Sequence, residues 1–189
     1  MNQKMESLLE NIKESTKNIK IIPVDNNIVN GIFDTFKINT ESLLGTVISN
    51  SGEIIVDNWI RIYGAGKTGF LQRNLDFPYR NILIAEDISG GLFAFMDNGR
   101  TGYFAPDTLE WENMEINYSQ FLYWCIHGDT DAYYKNYRWN TWEDDTPNLS
   151  IENGFAFYPF LWAESKSLEE RTHTEMPMEE IIKFELQEK

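Results

Sequence analysis

Residues 82–111 read ILIAEDISGGLFAFMDNGRTGYFAPDTLEW. Three apolar runs, Ile82–Ala85, Leu92–Met96 and Tyr103–Ala105, are separated by Ser89-Gly90-Gly91 and by Asp97-Asn98-Gly99. Glycine reaches the positive φ that a tight turn needs, and Asn-Gly between apolar runs is a strong hairpin signal. The stretch therefore reads as an antiparallel meander, the central sheet of one domain.

Working outward, Glu53–Tyr63 and Leu43–Ile48 read as two further strands around Asn50-Ser51-Gly52, with a bend or bulge at Asp57-Asn58. Met5, Leu8, Leu9 and Ile12 recur at helical spacing, so Glu6–Lys17 reads as an amphipathic helix. Asn18–Val24 is a short apolar approach, and Asp25 caps a second short helix that carries Ile28, Val29, Ile32 and Phe33. Gly64–Asn81, polar and glycine-bearing with Pro78, reads as a loop. Downstream, Leu109–Met114 offers an edge strand. A helix from Asn117 or Tyr118 presents Phe121, Leu122, Trp124 and Cys125 and ends at Gly128. Asp129 caps the next, with Tyr133, Tyr134 and Tyr137. Gly154–Trp162 (GFAFYPFLW) is apolar but interrupted by Pro159, which predicts a buried extended segment or an edge strand. Ala163–Glu175 is polar and is expected to be mobile, and Pro177 opens a final helix, Met178–Gln187. The fold class is α+β: one domain over 1–189, with a helical part at 1–38, a sheet over 42–114, and helices with one extended segment over 117–189.

Composition narrows the function classes. Sixteen basic residues against 30 acidic ones give a formal net charge of -14, and 42% of the residues are hydrophobic and 14% aromatic. A surface this negative repels nucleic-acid phosphates and anionic lipid heads, so neither is an expected partner. A basic protein is compatible. The single cysteine, Cys125, excludes an internal disulfide and sits in an apolar helical stretch where a packed thiol is expected. No signal peptide and no run near the ~20 residues of a membrane span are evident, and a cytoplasmic location is expected.

Gly64-Ala65-Gly66-Lys67-Thr68 resembles the end of a phosphate-binding loop. The full pattern needs glycine where Arg61 stands, and a long helix should follow so that its N-terminus meets the phosphates. Residues 69–81 offer little helical periodicity, so a glycine-rich surface loop is the better reading. His127 and His173 have no metal-ligand spacing, and no cofactor or metal is expected. His127 suits a helix C-terminus. Acid pairs occur at Glu86/Asp87, Glu110/Glu112 and Glu143/Asp144/Asp145, and paired carboxylates beside tryptophans could suggest glycoside hydrolysis. Asp107 and Glu110 have the spacing of a capping box. Most of Trp111, Trp124, Trp139, Trp142 and Trp162 should be core, and any exposed beside acids would form a recognition rim.

The strings Gly90-Gly91-Leu92-Phe93-Ala94 and Tyr103-Phe104-Ala105-Pro106-Asp107-Thr108-Leu109-Glu110-Trp111, continued by Tyr118–Leu122, Gly128-Asp129, Arg138-Trp139 and Phe157–Trp162, resemble a bacterial family known as domain of unknown function 2625. The resemblance covers about residues 40–180. More distantly, the order of helix, meander with an acid-then-Gly-Gly turn, and helix is similar to the SUKH superfamily. That resemblance implies a SUKH-like fold and an immunity-type or interaction role, with no catalytic residues to carry over. The expected function is a non-catalytic module that binds a basic or toxin-like protein through an acidic, aromatic-rich face, with Glu86, Asp87, Asp107, Trp111, Trp139 and Trp142 as candidate binding residues. The alternative is an enzyme on a small molecule or sugar that uses paired carboxylates such as Glu86 and Asp87.

Overall fold

A computed structural model describes residues 3–77, 81–163 and 167–188. The chain begins with α1 (Gln3–Glu14), β1 (Ile19–Ile22), α2 (Asn26–Phe36) and α3 (Leu43–Asn50). The hairpin β2 (Glu53–Val56) and β3 (Ile60–Tyr63) leads to α4 (Phe70–Asp76). The strands β4 (Leu83–Asp87), β5 (Leu92–Phe95), β6 (Thr101–Ala105) and β7 (Glu110–Asn113) follow. The C-terminal third holds α5 (Tyr118–His127), α6 (Thr130–Tyr134), α7 (Trp142–Asp145), β8 (Asn153–Tyr158), β9 (Thr172–Pro177) and α8 (Met178–Glu188).

The architecture is α+β. Seven strands form one sheet in the order β1 to β7, each antiparallel to the next. The meander of 82–105 lies within it. Strands β8 and β9 pair separately as an antiparallel hairpin. Strand alternation sorts side chains between two faces. Ile54, Ile62, Ala85, Phe93 and Tyr103 lie in register on one face. There Phe93 meets Phe121 and Trp124 of α5, and Tyr103 meets Tyr133 of α6. Arg61, Glu86, Leu92, Phe104 and Trp111 lie in register on the other, where Arg73 of α4 reaches Glu86. Both faces are covered, so the strands read as nearly continuous apolar runs rather than strict alternation. No helix among the described residues is long and apolar enough to cross a membrane.

Several expectations need correction. Leu43–Ile48 belongs to a helix: Ser42 accepts from the Gly45 amide at 2.9 Å and caps it. The span Glu53–Tyr63 is a hairpin rather than one bent strand. Asp57 and Asn58 both adopt φ 53°, the left-handed backbone of a primed turn, and the Trp59 amide closes it on the Val56 carbonyl at 2.9 Å. The apolar approach before Pro23 contributes the edge strand β1. Residues 70–76 of the expected loop form α4. The polar stretch expected to be mobile contains β9 from Thr172 onward, while 164–166 lie outside the described residues. Asp107 and Glu110 do not cap a helix. They bracket a turn in which Leu109 has φ 56°, and Glu110 starts β7. Helices α2, α5, α6 and α8 occur where expected, with Asp25, Asn117 and Asp129 as caps.

Candidate binding site

The six residues singled out in the sequence lie in separate places. Neighbours on a strand point to opposite faces, so Glu86 and Asp87 diverge. Glu86 is 1% exposed. Its Oε2 accepts from Tyr63 Oη at 2.6 Å and Arg73 Nε at 2.7 Å, and its Oε1 from Arg61 and Arg73 at 3.3 Å each. Burial alone would push the carboxyl up. The Arg73 and Arg61 charges and the hydrogen bonds pull it below its ordinary range. Arg61 also donates to the Ile151 and Ser150 carbonyls, which ties the central sheet to the chain entering β8.

Asp87 is buried on the opposite face. Its Oδ1 accepts from the Ser89 amide and hydroxyl at 2.9 and 2.6 Å and from the Gly91 amide at 3.1 Å, and Tyr103 Oη donates to Oδ2 at 2.7 Å. This is an Asx-type turn that holds the Gly-Gly corner. Burial pushes the Asp87 carboxyl up despite those bonds.

Trp139 is buried. It packs on Trp59 at 5.9 Å and on Phe155 at 4.9 Å, and its indole donates to Asp145 at 2.6 Å. Trp142 is half-buried, with the Arg138 guanidinium 4.1 Å above its ring and Trp59 edge-on at 5.5 Å. Trp111 lies half-buried on edge strand β7 against Phe104. Exposed Asp107 accepts from Tyr137 Oη at 2.6 Å.

The glycine-rich loop has another task. The Gly64 and Ala65 amides donate to the Gly52 and Ser51 carbonyls at 2.9 and 2.8 Å. A Cβ on Gly64 would stand 2.1 Å from the Ser51 oxygen. The glycines let two loops touch, and those amides are already spent on carbonyls. β3 and β4, on either side of the loop, are antiparallel, which is not the parallel crossover of a phosphate-loop fold. Lys67 pairs with Glu152 at the surface, and Thr68 donates to Glu53 at 2.7 Å.

A different site emerges on the C-terminal flank, between the β8–β9 hairpin and α8. A cavity of about 240 Å³ is lined by Phe160, Trp162, Met176, Glu180, Phe184 and Glu185, among others. Phe160 and Trp162 stack in parallel, with centroids 4.6 Å apart and 3° between planes. Phe184 lies 4.7 Å from Phe160 and is 40% exposed. Arg171 holds this wall by donating to the carbonyls of Pro159, Phe160 and Ala163. Glu185 lies deep, 2% exposed, and its Oε2 has no hydrogen-bond partner. Burial, and then the Asp87 charge, push this carboxyl well above the ordinary range. It fits there because Gly90 (φ +104°) has no side chain. A Cβ at Gly90 would stand 2.1 Å from Glu185 Oε1. The sequence reading missed this acid. Its only outward signal was a glycine pair in a turn, which says nothing of what packs against it.

Fold and cleft together define an α+β protein built on a seven-stranded meander with an aromatic cleft on its C-terminal flank. The chain belongs to the family described as protein of unknown function DUF2625, whose model matches residues 2–181. It is 34% identical over 192 residues to the uncharacterised YbfG of Escherichia coli (strain K12), covering 94% of this chain and 88% of that one. It is 29% identical over 164 residues to an uncharacterized protein of Haemophilus influenzae (strain ATCC 51907 / DSM 11121 / KW20 / Rd), covering 77% and 72%.

Proposed function

We propose that this protein is a non-catalytic binding module that holds a basic protein partner, in the manner of an immunity-type protein on a SUKH-like scaffold. The observation that supports it most is the aromatic wall of the C-terminal cleft. Three large rings, Phe160, Trp162 and Phe184, flank one small cavity in a chain whose net charge is -14. Exposed aromatic side chains beside acids form interface anchors, and the charge steers a cationic partner toward them. On this reading Trp111, Trp142 and Asp107, which reach the surface, take part in outer contacts. Glu86, Asp87 and Trp139 act from beneath, by fixing the frame that carries them.

The rival reading, hydrolysis of a sugar by a carboxylate pair, draws no support from Glu86 and Asp87. Glu86 and Asp87 point to opposite faces of β4, and each is occupied by buried hydrogen bonds. Glycosidases need two carboxyl groups facing one bond about 5–9.5 Å apart.

The test is co-purification of the full chain with host proteins at low salt, followed by reconstitution from purified components. A basic partner should bind the purified chain, with affinity that falls as salt rises, and Phe184→Asp should abolish binding. If no partner identified in this way binds the purified chain, the reading is lost.

A further inference from the structure

The cleft has a more specific chemistry than an apolar groove. Its walls are hydrocarbon and aromatic rings, and its deep end is the buried Glu185 carboxyl, whose Oε2 has no hydrogen-bond partner. The cavity of about 240 Å³ lies below the range of roughly 300–1,000 Å³ typical of drug-sized ligands. One long side chain suits it better than a cofactor. Anions are disfavoured by Glu180 at the lining, by Asp87 behind the turn, and by the net charge of -14. A purely apolar occupant would leave the Glu185 oxygen unpaired in a dry site, which costs free energy. A cation on a hydrocarbon stem satisfies both parts at once. The ring faces attract the charge, the stem lies on the apolar wall, and the head meets the oxygen.

We propose that this cleft receives a lysine side chain of the basic partner, with its methylenes along Phe160, Trp162 and Met176 and its ammonium hydrogen-bonded to the Glu185 carboxyl. This assignment rests on the protein-binding reading above and names the partner's anchoring residue. Lysine fits better than arginine. The cavity is small and its acid lies buried at the deep end, which suits a compact point charge better than a broad planar guanidinium. In the empty cleft, burial pushes this carboxyl well above the ordinary range and so favours its neutral form. A docked ammonium favours the carboxylate instead, so docking drives a proton from the acid to solvent and leaves a carboxylate–ammonium pair.

The experiment titrates the full chain with three acetylated, amidated tripeptides, Gly-X-Gly, where X is lysine, norleucine or arginine. Calorimetry is run in buffers of differing ionisation heat, beside tryptophan fluorescence. The lysine peptide should bind at least about tenfold more tightly than its norleucine isostere, the scale of one charge-assisted hydrogen bond, and should release protons on binding. Glu185→Gln keeps the shape of the neutral acid. It should erase the preference. Equal or tighter norleucine binding, tighter arginine binding, or a lysine preference that survives Glu185→Gln would overturn the lysine assignment. Norleucine binding without preference would do so while leaving the protein-binding reading intact. Binding of none of the three would remove the assignment, and that reading would then be decided separately by the purified partner.

Discussion

Glu86 and Glu185 are buried almost equally, at 1% and 2% exposed, in two regions that treat a carboxyl in opposite ways. Beneath α4, Glu86 receives four hydrogen bonds from Tyr63, Arg61 and Arg73 and stays ionised. Beside the Gly90 turn, Glu185 has an unpartnered oxygen, and burial pushes its carboxyl well above the ordinary range. Depth alone therefore says little about an acid's task. Partner count decides it: the first region has used its binding capacity on the fold, while the second has kept some in reserve.

The same substitution in both regions tests that contrast. Glu86→Gln removes the negative charge between two buried guanidinium groups. It should cost about 3–5 kcal/mol of unfolding free energy, measured by urea or guanidinium denaturation, because uncompensated buried charge is severely unfavourable. Glu185→Gln should change stability by less than about 1 kcal/mol at neutral pH, since among the described residues no charged group is paired with Glu185 and burial favours the neutral form that glutamine mimics. If the two costs were equal, the division between the regions would fail.

A pH series sharpens it. Glu53, 2% exposed, is raised to about 7 by burial and then by the Glu86 charge. Between its ordinary value of 4.5 and 7, the folded state binds more protons than the unfolded state. Stability contributed by this group is thus present at low pH and lost as pH rises through that window, by up to about 3 kcal/mol. Glu185, also raised, acts in the same direction, whereas the lowered Glu86 contributes stability that is lost on acidification. Denaturation midpoints at pH 5, 6, 7 and 8 should fall across the series, and Glu53→Gln should flatten much of the slope. A flat wild-type profile would contradict the pairing pattern of the Glu86 region.

Two smaller effects probe the edges of the comparison. Ser42→Ala removes the cap of α3 and should cost about 1 kcal/mol by thermal or urea unfolding. Lys67→Ala, at a surface ion pair with Glu152, should shift stability by less than about 1 kcal/mol. It should also leave no nucleotide-binding defect to detect, because Gly64 and Ala65 have already given their amides to carbonyls.

The sheet was legible where turn chemistry was explicit. Ser89-Gly90-Gly91 and Asp97-Asn98-Gly99 mark the corners of β4, β5 and β6, and Asp25, Asn117 and Asp129 mark helix starts. Helix α3 was not legible by periodicity. Leu43-Leu44-Gly45-Thr46-Val47-Ile48 is a short, mostly apolar run that ends in three β-branched residues, and a buried helix and a buried strand look alike over six residues. Ser42 was the available signal. Asp57-Asn58 passed for a bulge because neither is glycine, yet both accept left-handed backbone. α4 was hidden by its seven residues and by the Phe77-Pro78 stop. The candidate site was less legible than the fold. Arg61 and Arg73 stand 25 and 13 residues from Glu86, and nothing local pairs them. Glu185 sits in Lys183-Phe184-Glu185-Leu186, which looks like any amphipathic helix facing water.

Gly90 has an evolutionary consequence. Because the bare backbone at that position makes room for a carboxylic acid from the last helix, the two positions are bound to change together. In a relative where residue 90 bears a side chain, position 185 should hold something shorter than glutamate, and that relative should have lost its discrimination between a charged and an uncharged guest.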